Sequence, residues 1–127
     1  MKLRIRGNSI RLRVTRGELE QLGMSGSLEE VVEFGIKGPK LGYRLLASAA
    51  EETVRAKFED DCLCIWVPKH AVDNWINSEQ VGIESGQPIG DGRSLRILVE
   101  KDFACLTPRA DEDEADAFPN PSTGISC

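Results

Sequence analysis

Long apolar runs and histidine are nearly absent from this 127-residue sequence. No apolar stretch approaches the roughly 18 residues that a membrane-spanning helix needs, so we expect no membrane partner. The start of the chain, from Met1 to Arg6, alternates charged with apolar residues, whereas a secretory signal needs a continuous apolar stretch. The sequence therefore predicts a cytoplasmic protein.

The single histidine, His70, limits the chemistry that the chain can support. A Cys–His catalytic pair would have to use it, and no cysteine stands in a recognisable catalytic signature. The glycine-rich segment 86–92 lacks the Lys-Ser/Thr ending of a phosphate-binding loop. The acidic pair Asp60-Asp61 suits a turn rather than a buried acid–base pair. We therefore assign no catalytic residue and no cofactor.

The chain has four cysteines, Cys62, Cys64, Cys105 and Cys127. Without an export signal, free thiols are favoured over disulfides, and such thiols pack as small hydrophobic groups. Cys62 and Cys64 share one face of a predicted strand, with Cα atoms about 6.6 Å apart, which is poor geometry for a mutual disulfide. A zinc site wraps a turn with C-x-x-C, whereas C-x-C on a strand would splay the ligands. The sequence predicts no metal site.

What the sequence does contain is a regular alternation of apolar and polar residues. It predicts eight strands and two short helices in the order β-β-α-β-β-β-β-α-β-β. Residues 2–6 and 10–14 form a hairpin with its tip at Gly7-Asn8, and this register pairs Ile5 with Ile10. A second hairpin has its tip at Asp60-Asp61. The fold class is α+β, with a mainly antiparallel sheet that is strongly curved or closed into a barrel.

The remaining elements follow from helix signals and turn residues. Thr15 and Glu18 fit a capping box, and a second helix follows Pro68. Residues 28–34 are predicted as a strand with Val32 and Phe34 inward, and residues 86–92 as a turn-rich loop. No internal repeat is found in the sequence.

The chain divides by composition into a β-rich domain, residues 1–107, and an acidic, Pro-containing tail, residues 108–127. Few large apolar residues, two prolines after Phe118 and a run of acids predict disorder in the tail. The segment Phe118-Pro119-Asn120-Pro121 is the one part with an aromatic side chain and local stiffness that suits docking.

Charge is distributed unevenly along the chain. Before Glu18 every charged side chain is positive, whereas the segment from Asp111 to Asp116 is acidic, and the net charge is −5. A net negative field argues against indiscriminate binding of nucleic acid, so we expect no nucleic-acid partner. The positive charge is concentrated in the first hairpin.

In the predicted register, like charges face each other across this hairpin. Arg4 lies opposite Arg11. Lys2 lies opposite Arg13, and each such pair costs up to about 1 kcal/mol. Three arrangements would offset the cost: long side chains spreading into solvent or a third strand with carboxylates, a bound anion, or the acidic tail of the same or a neighbouring copy. The carboxylates considered for the third strand are Glu29, Glu30 and Glu33.

Three segments carry a resemblance to a known family. The segments from Lys2 to Arg13 (KLRIRGNSIRLR) and from Leu98 to Leu106 (LVEKDFACL) resemble the two ends of a family of small, uncharacterised bacterial proteins. The segment from Asp116 to Pro121 (DAFPNP) is similar to the ending of that family. The resemblance spans nearly the whole chain and implies a bacterial cytosolic protein of the same size, without an assigned activity, cofactor or site.

These observations favour a non-enzymatic binding or accessory protein that contacts another protein, or a second copy of itself, through the arginine-rich hairpin and the tail. The alternative is a phosphate- or nucleotide-binding enzyme whose arginines line a pocket in a curved sheet and hold an anionic small molecule. The residues predicted for anion or partner binding are Arg4, Arg6, Arg11, Arg13 and Arg96; those predicted for docking of the tail are Phe118, Pro119 and Pro121.

Overall fold

The computed structural model describes residues 1–104 and 117–119. Within these residues the predicted order of eight strands and two helices is confirmed, and the fold is α+β. The elements are β1 (Lys2–Arg6), β2 (Ser9–Val14), α1 (Arg16–Ser25), β3 (Ser27–Glu33), β4 (Lys40–Ser48), β5 (Arg55–Glu59), β6 (Cys62–Pro68), α2 (Lys69–Ile76), β7 (Gly82–Gly90) and β8 (Arg93–Lys101).

Both predicted hairpin registers are confirmed. Ile5 pairs with Ile10 in β1–β2, and Phe58 pairs with Leu63 in β5–β6. At the first tip Gly7 has a φ of 54°, as a two-residue turn with glycine in its first position requires. At the second tip both aspartates have positive φ, 53° and 59°, a conformation that Asp tolerates better than most residues.

The two helices follow β2 and β6 directly. The Thr15 side chain accepts a hydrogen bond from the Glu18 backbone, and the Glu18 side chain accepts one from the Thr15 backbone, so the predicted capping box is confirmed. In α2, Trp75 is completely buried, and its indole Nε1 donates to the Val81 carbonyl at 3.1 Å. The capping box therefore fixes the start of α1, and the Trp75 hydrogen bond ties α2 to the segment that follows it.

The described strands form two four-stranded mixed sheets, in which four of the six strand pairings are antiparallel, as predicted. Neither described sheet is closed or strongly curved, so the predicted barrel or strongly curved sheet is wrong. Sheet 1 has the order β1-β2-β8-β7 and sheet 2 the order β3-β4-β6-β5. The central pairs, β2 with β8 and β4 with β6, are parallel, and neither described sheet closes on itself. The prediction of one closed or strongly curved sheet failed because consecutive hairpins pair with distant strands rather than with each other.

The described chain repeats one hairpin–helix–hairpin unit: β1-β2-α1-β3-β4 and then β5-β6-α2-β7-β8. Each sheet combines the first hairpin of one unit with the second hairpin of the other. Leu12 pairs with Val99 in sheet 1, as Ile65 pairs with Leu45 in sheet 2. All four side chains are fully buried. The structure thus contains a repeat that the sequence did not reveal.

The core combines residues of both sheets and both helices in one hydrophobic cluster. The two sheets are also tied by Gln87 of β7, which accepts from the Ala56 backbone N–H at 2.7 Å and donates to the Ala56 carbonyl at 2.9 Å.

Segment 86–92, predicted as a loop, instead supplies the end of β7 and the turn that follows it. Val32 and Phe34, predicted to face inward, are 43% and 67% exposed.

Candidate arginine site on sheet 1

Alternation along β2 and β8 places charged side chains on the outer face of sheet 1. Leu12 and Val99 point into the core, so their neighbours in sequence point the opposite way. We define the arginine face as the basic side chains on this outer surface. They are Lys2, Arg4, Arg6, Arg11, Arg13 and Arg96.

Part of the arginine face borders a cleft of about 390 Å³. The structure brings four of the five predicted arginines together around it, whereas Arg13 does not line it. Arg4 faces Arg11 across the hairpin, and the parallel pairing of β2 with β8 places Arg96 beside Ser9. The lining residues are Arg4, Arg6, Ser9, Ile10, Arg11, Glu84, Arg96, Ile97 and Leu98.

Carboxylates from β7 and β8 partly neutralise this face. Glu100 accepts a hydrogen bond from Arg13 Nε at 2.7 Å, and the same oxygen lies 3.7 Å from Arg11 Nε. Both the Arg13 and Glu100 side chains are largely buried, so this pair is part of the structure of the sheet. At the rim, the guanidinium group of Arg96 contacts the carboxylate of Glu84. The lining of the cleft therefore carries more arginine than carboxylate side chains, and two of its arginines, Arg11 and Arg96, lie close to a carboxylate.

The strand beside the first hairpin is β8, not the strand that carries Glu29, Glu30 and Glu33. Glu30 lies instead 2.9 Å from the Met1 amino group, which also contacts Glu18. Glu29 pairs with Arg44 at 3.0 Å on sheet 2. The sequence did offer a signal for Glu100, because alternation on β8 places it on the same face as Arg96.

The outer face of sheet 2 is different in character. It carries Cys62 and Cys64, whose Sγ atoms lie 3.7 Å apart and whose side chains are half-buried. Burial and the neighbouring Cys64 thiol raise the pKa of Cys62 to about 11. The sulfur atoms approach each other more closely than the splayed arrangement expected from C-x-C on a strand.

A family model described as "Family of unknown function (DUF7009)" matches residues 1–122. The chain belongs to this family. The resemblance to an uncharacterised family is thereby confirmed. No curated protein and no solved structure matches the chain.

In this DUF7009 chain, most of the predicted tail lies outside the described residues. The predicted domain boundary at 107/108, the acidic run from Asp111 and Pro121 all fall there. Phe118 is 96% exposed, and Pro119 is exposed as well. Docking of the tail on the arginine face stays a prediction. Within the described part of the chain, neither helix is long and apolar enough to cross a membrane.

Proposed function

We propose that the protein is a non-enzymatic binding protein whose arginine face takes the carboxylates of an acidic segment of a partner protein. The proposal rests on one observation, the convergence of Arg4, Arg6, Arg11 and Arg96 on a single cleft. Guanidinium groups offer donors in a planar fork that matches a carboxylate. The lining of the cleft contains four such groups and one carboxylate, Glu84, so the local charge favours an anion.

The distribution of charge supports a protein partner rather than a polyanion such as nucleic acid. Residues 1–104 contain fifteen Lys and Arg and sixteen Asp and Glu, so this part of the chain is close to neutral. Attraction of an anion is then local to the arginine face. The acidic run from Asp111 to Asp116 has the chemistry of the proposed ligand, which makes a second copy of this chain one partner to test.

A labelled peptide with the sequence of residues 111–116 tests the proposed function. It is titrated into the full-length chain whose own acids at these positions are changed to the corresponding amides, and binding is followed by fluorescence anisotropy. We expect salt-sensitive binding that weakens about tenfold when Arg4 and Arg6 are both changed to Ala, because two charge contacts are lost.

The matched control changes Lys57 and Lys69 to Ala. These exposed cations lie away from the arginine face, and their loss alters the net charge equally. Equal weakening in both double variants, or no binding of the peptide at all, would contradict the proposal.

One observation favours the alternative, a phosphate- or nucleotide-binding enzyme. The volume of the cleft, about 390 Å³, is within the range of small-molecule sites. Thermal unfolding of the same variants is measured with inorganic phosphate and with nucleoside triphosphates. Stabilisation by these anions that is lost in the Arg4/Arg6 variant, without binding of the acidic peptide, would establish the alternative instead.

A further inference from the structure

We propose that β3, an edge strand of sheet 2, pairs with β3 of a second copy of this chain, antiparallel and about a two-fold axis at Val32. Among the described strands, β3 stands first in the order β3-β4-β6-β5, so one side of its backbone has no described strand beside it. The arginine face belongs to sheet 1, and the contact through β3 is therefore independent of the binding function proposed above.

The hairpin of β3 and β4 carries a cluster of exposed apolar side chains. Val31 and Val32 are 44% and 43% exposed, Phe34 is 67% exposed, and Ile36 is fully exposed. Leu28, near the start of β3, is buried, so the strand runs from the core outwards. By alternation, Val32 and Phe34 continue the face of Leu28 beyond the part that the core covers. Exposed apolar side chains along a strand edge are typical of a surface that pairs with another chain.

The backbone of β3 has hydrogen-bonding groups for this pairing at every second residue. The Phe34 N–H donates to the Pro39 carbonyl at 3.0 Å, so these two residues form a hydrogen-bonded pair of the β3–β4 ladder. In an antiparallel ladder such pairs alternate with pairs whose N–H and C=O groups point away from the partner strand. The residues of β3 that direct these groups to the edge therefore include Glu29, Val31 and Glu33.

The carboxylates of β3 select the register. Residues directly opposite each other in an antiparallel pair lie on the same face, so the two-fold axis passes through a residue and not between two. An axis at Glu29, Glu30 or Glu33 would set that carboxylate against its own copy, and like charges directly opposite are destabilising. An axis at Val31 would set Glu29 against Glu33 twice. Within residues 29–33, the axis at Val32 is the position that avoids all of these contacts.

Centred on Val32, the pairing brings apolar groups of the two copies together. Val32 lies opposite Val32 of the second copy in a non-hydrogen-bonded pair, where side chains approach most closely. Val31 lies opposite Glu33 of the second copy and exchanges two backbone hydrogen bonds with it, so the symmetric contact contains four. Phe34 lies on the same face as Val32, within reach of both valines. Because few residues take part, the interface is small and we expect a weak dimer.

Analytical ultracentrifugation of the full-length chain, kept reduced, measures the association from about 5 µM to about 1 mM. We expect a monomer–dimer equilibrium within this range. Val32→Lys should weaken dimerisation at least about tenfold, because it sets two like charges against each other on the axis. Val31→Lys is the matched control: the residue is equally exposed and the change in charge is the same. Its lysine would lie opposite Glu33 of the second copy, so dimerisation should be unchanged or tighter.

A mixture of two variants tests the axis directly. Val32→Glu should be as impaired as Val32→Lys when each is measured alone, since each sets like charges against each other. An equimolar mixture of the two should form a mixed dimer, because opposite charges then meet on the axis. Circular dichroism of each variant confirms that it folds, and the recovery of the mixed dimer shows that neither substitution acts by unfolding the chain.

Four results would overturn the proposal. They are a monomer at every concentration up to about 1 mM, equal weakening by Val31→Lys and Val32→Lys, no mixed dimer from the two Val32 variants, and assembly that continues beyond dimers. The variant with amides in place of the acids at 111–116 should dimerise as well as the unaltered chain. Loss of the dimer in that variant would place the contact at the acidic run, which would also overturn pairing through β3 but agree with the binding function proposed above.

Discussion

At the scale of single residues, Cys62 links the structure to pH. Burial, followed by the hydrogen bond and the charge of Cys64, raises the pKa of its thiol from an ordinary value of 9.0 to about 11. Between these values the folded chain retains a proton that the unfolded chain has lost. The thiol therefore stabilises the fold below about pH 9, and this contribution is lost as the pH rises towards 11.

We expect the free energy of unfolding to fall between about pH 9 and pH 11, and to fall less steeply in Cys62→Ser. Urea unfolding at closely spaced pH values, in the presence of a reductant, measures both slopes. Parallel pH profiles for the two proteins would show that the Cys62 thiol does not titrate in this way.

The arginines show how far residue patterns predict a site. Alternation alone placed Arg4 opposite Arg11, and the structure confirms this register. The alternation pattern could not show that Arg96, more than eighty positions further along the chain, lies beside Ser9. A parallel pairing between distant strands leaves no local signal in the sequence. The approach of the two sulfur atoms was missed for another reason: alternation fixes the face of a side chain but not the direction of its last bond.

At the scale of elements, Gln87 connects two strands that are edges of different sheets. Its amide bonds both polar groups of the Ala56 backbone, at 2.7 and 2.9 Å. Ala56 is 6% exposed, so water has little access to these groups. Gln87→Ala should lower the free energy of unfolding by about 2 kcal/mol, because two buried backbone groups lose their partner.

Chemical denaturation of Gln87→Ala measures this loss, with Gln21→Ala as the control. Gln21 is exposed on α1, and its side chain should contribute less than about 0.5 kcal/mol. A loss in Gln87→Ala as small as in the control would mean that the amide does not join the sheets.

Elements with strong local signals were predicted well, and the edge strand β7 was not. Gly86, Pro88 and Gly90 are typical of a loop, yet they lie in β7. An edge strand tolerates proline because one side of its backbone needs no partner, and the pairing is indeed irregular between Pro88 and Gly90. Here tertiary pairing with β8 overrides local preference.

At the scale of the whole molecule, the exchange of hairpins joins the two repeated units into one. Neither unit contains a complete sheet, since each lacks the parallel neighbour that the other supplies. The order of the strands could not be predicted for this reason. Similar hairpins are compatible with many arrangements, and only packing of the full chain selects one.

This arrangement predicts a single cooperative unfolding transition. Both tryptophans, Trp66 and Trp75, belong to the second unit, so their fluorescence reports on that unit. Leu12→Ala removes a fully buried side chain from the first unit and should cost about 2–5 kcal/mol. We expect the fluorescence and circular dichroism midpoints to shift together in urea. A fluorescence midpoint that stays in place would show that the units unfold separately.

The pairing of β2 with β8 also has a consequence for synthesis. A ribosome that makes the chain from its N-terminus delivers β8 last among the described strands, so β2 waits with an unpaired edge until then. Sheet 2 has all its strands much earlier, once β6 has emerged. Sheet 1 is therefore assembled last, and the cleft that needs Arg96 beside the first hairpin exists only after translation has passed β8. An incomplete nascent chain would therefore be unable to capture the anionic partner that we propose.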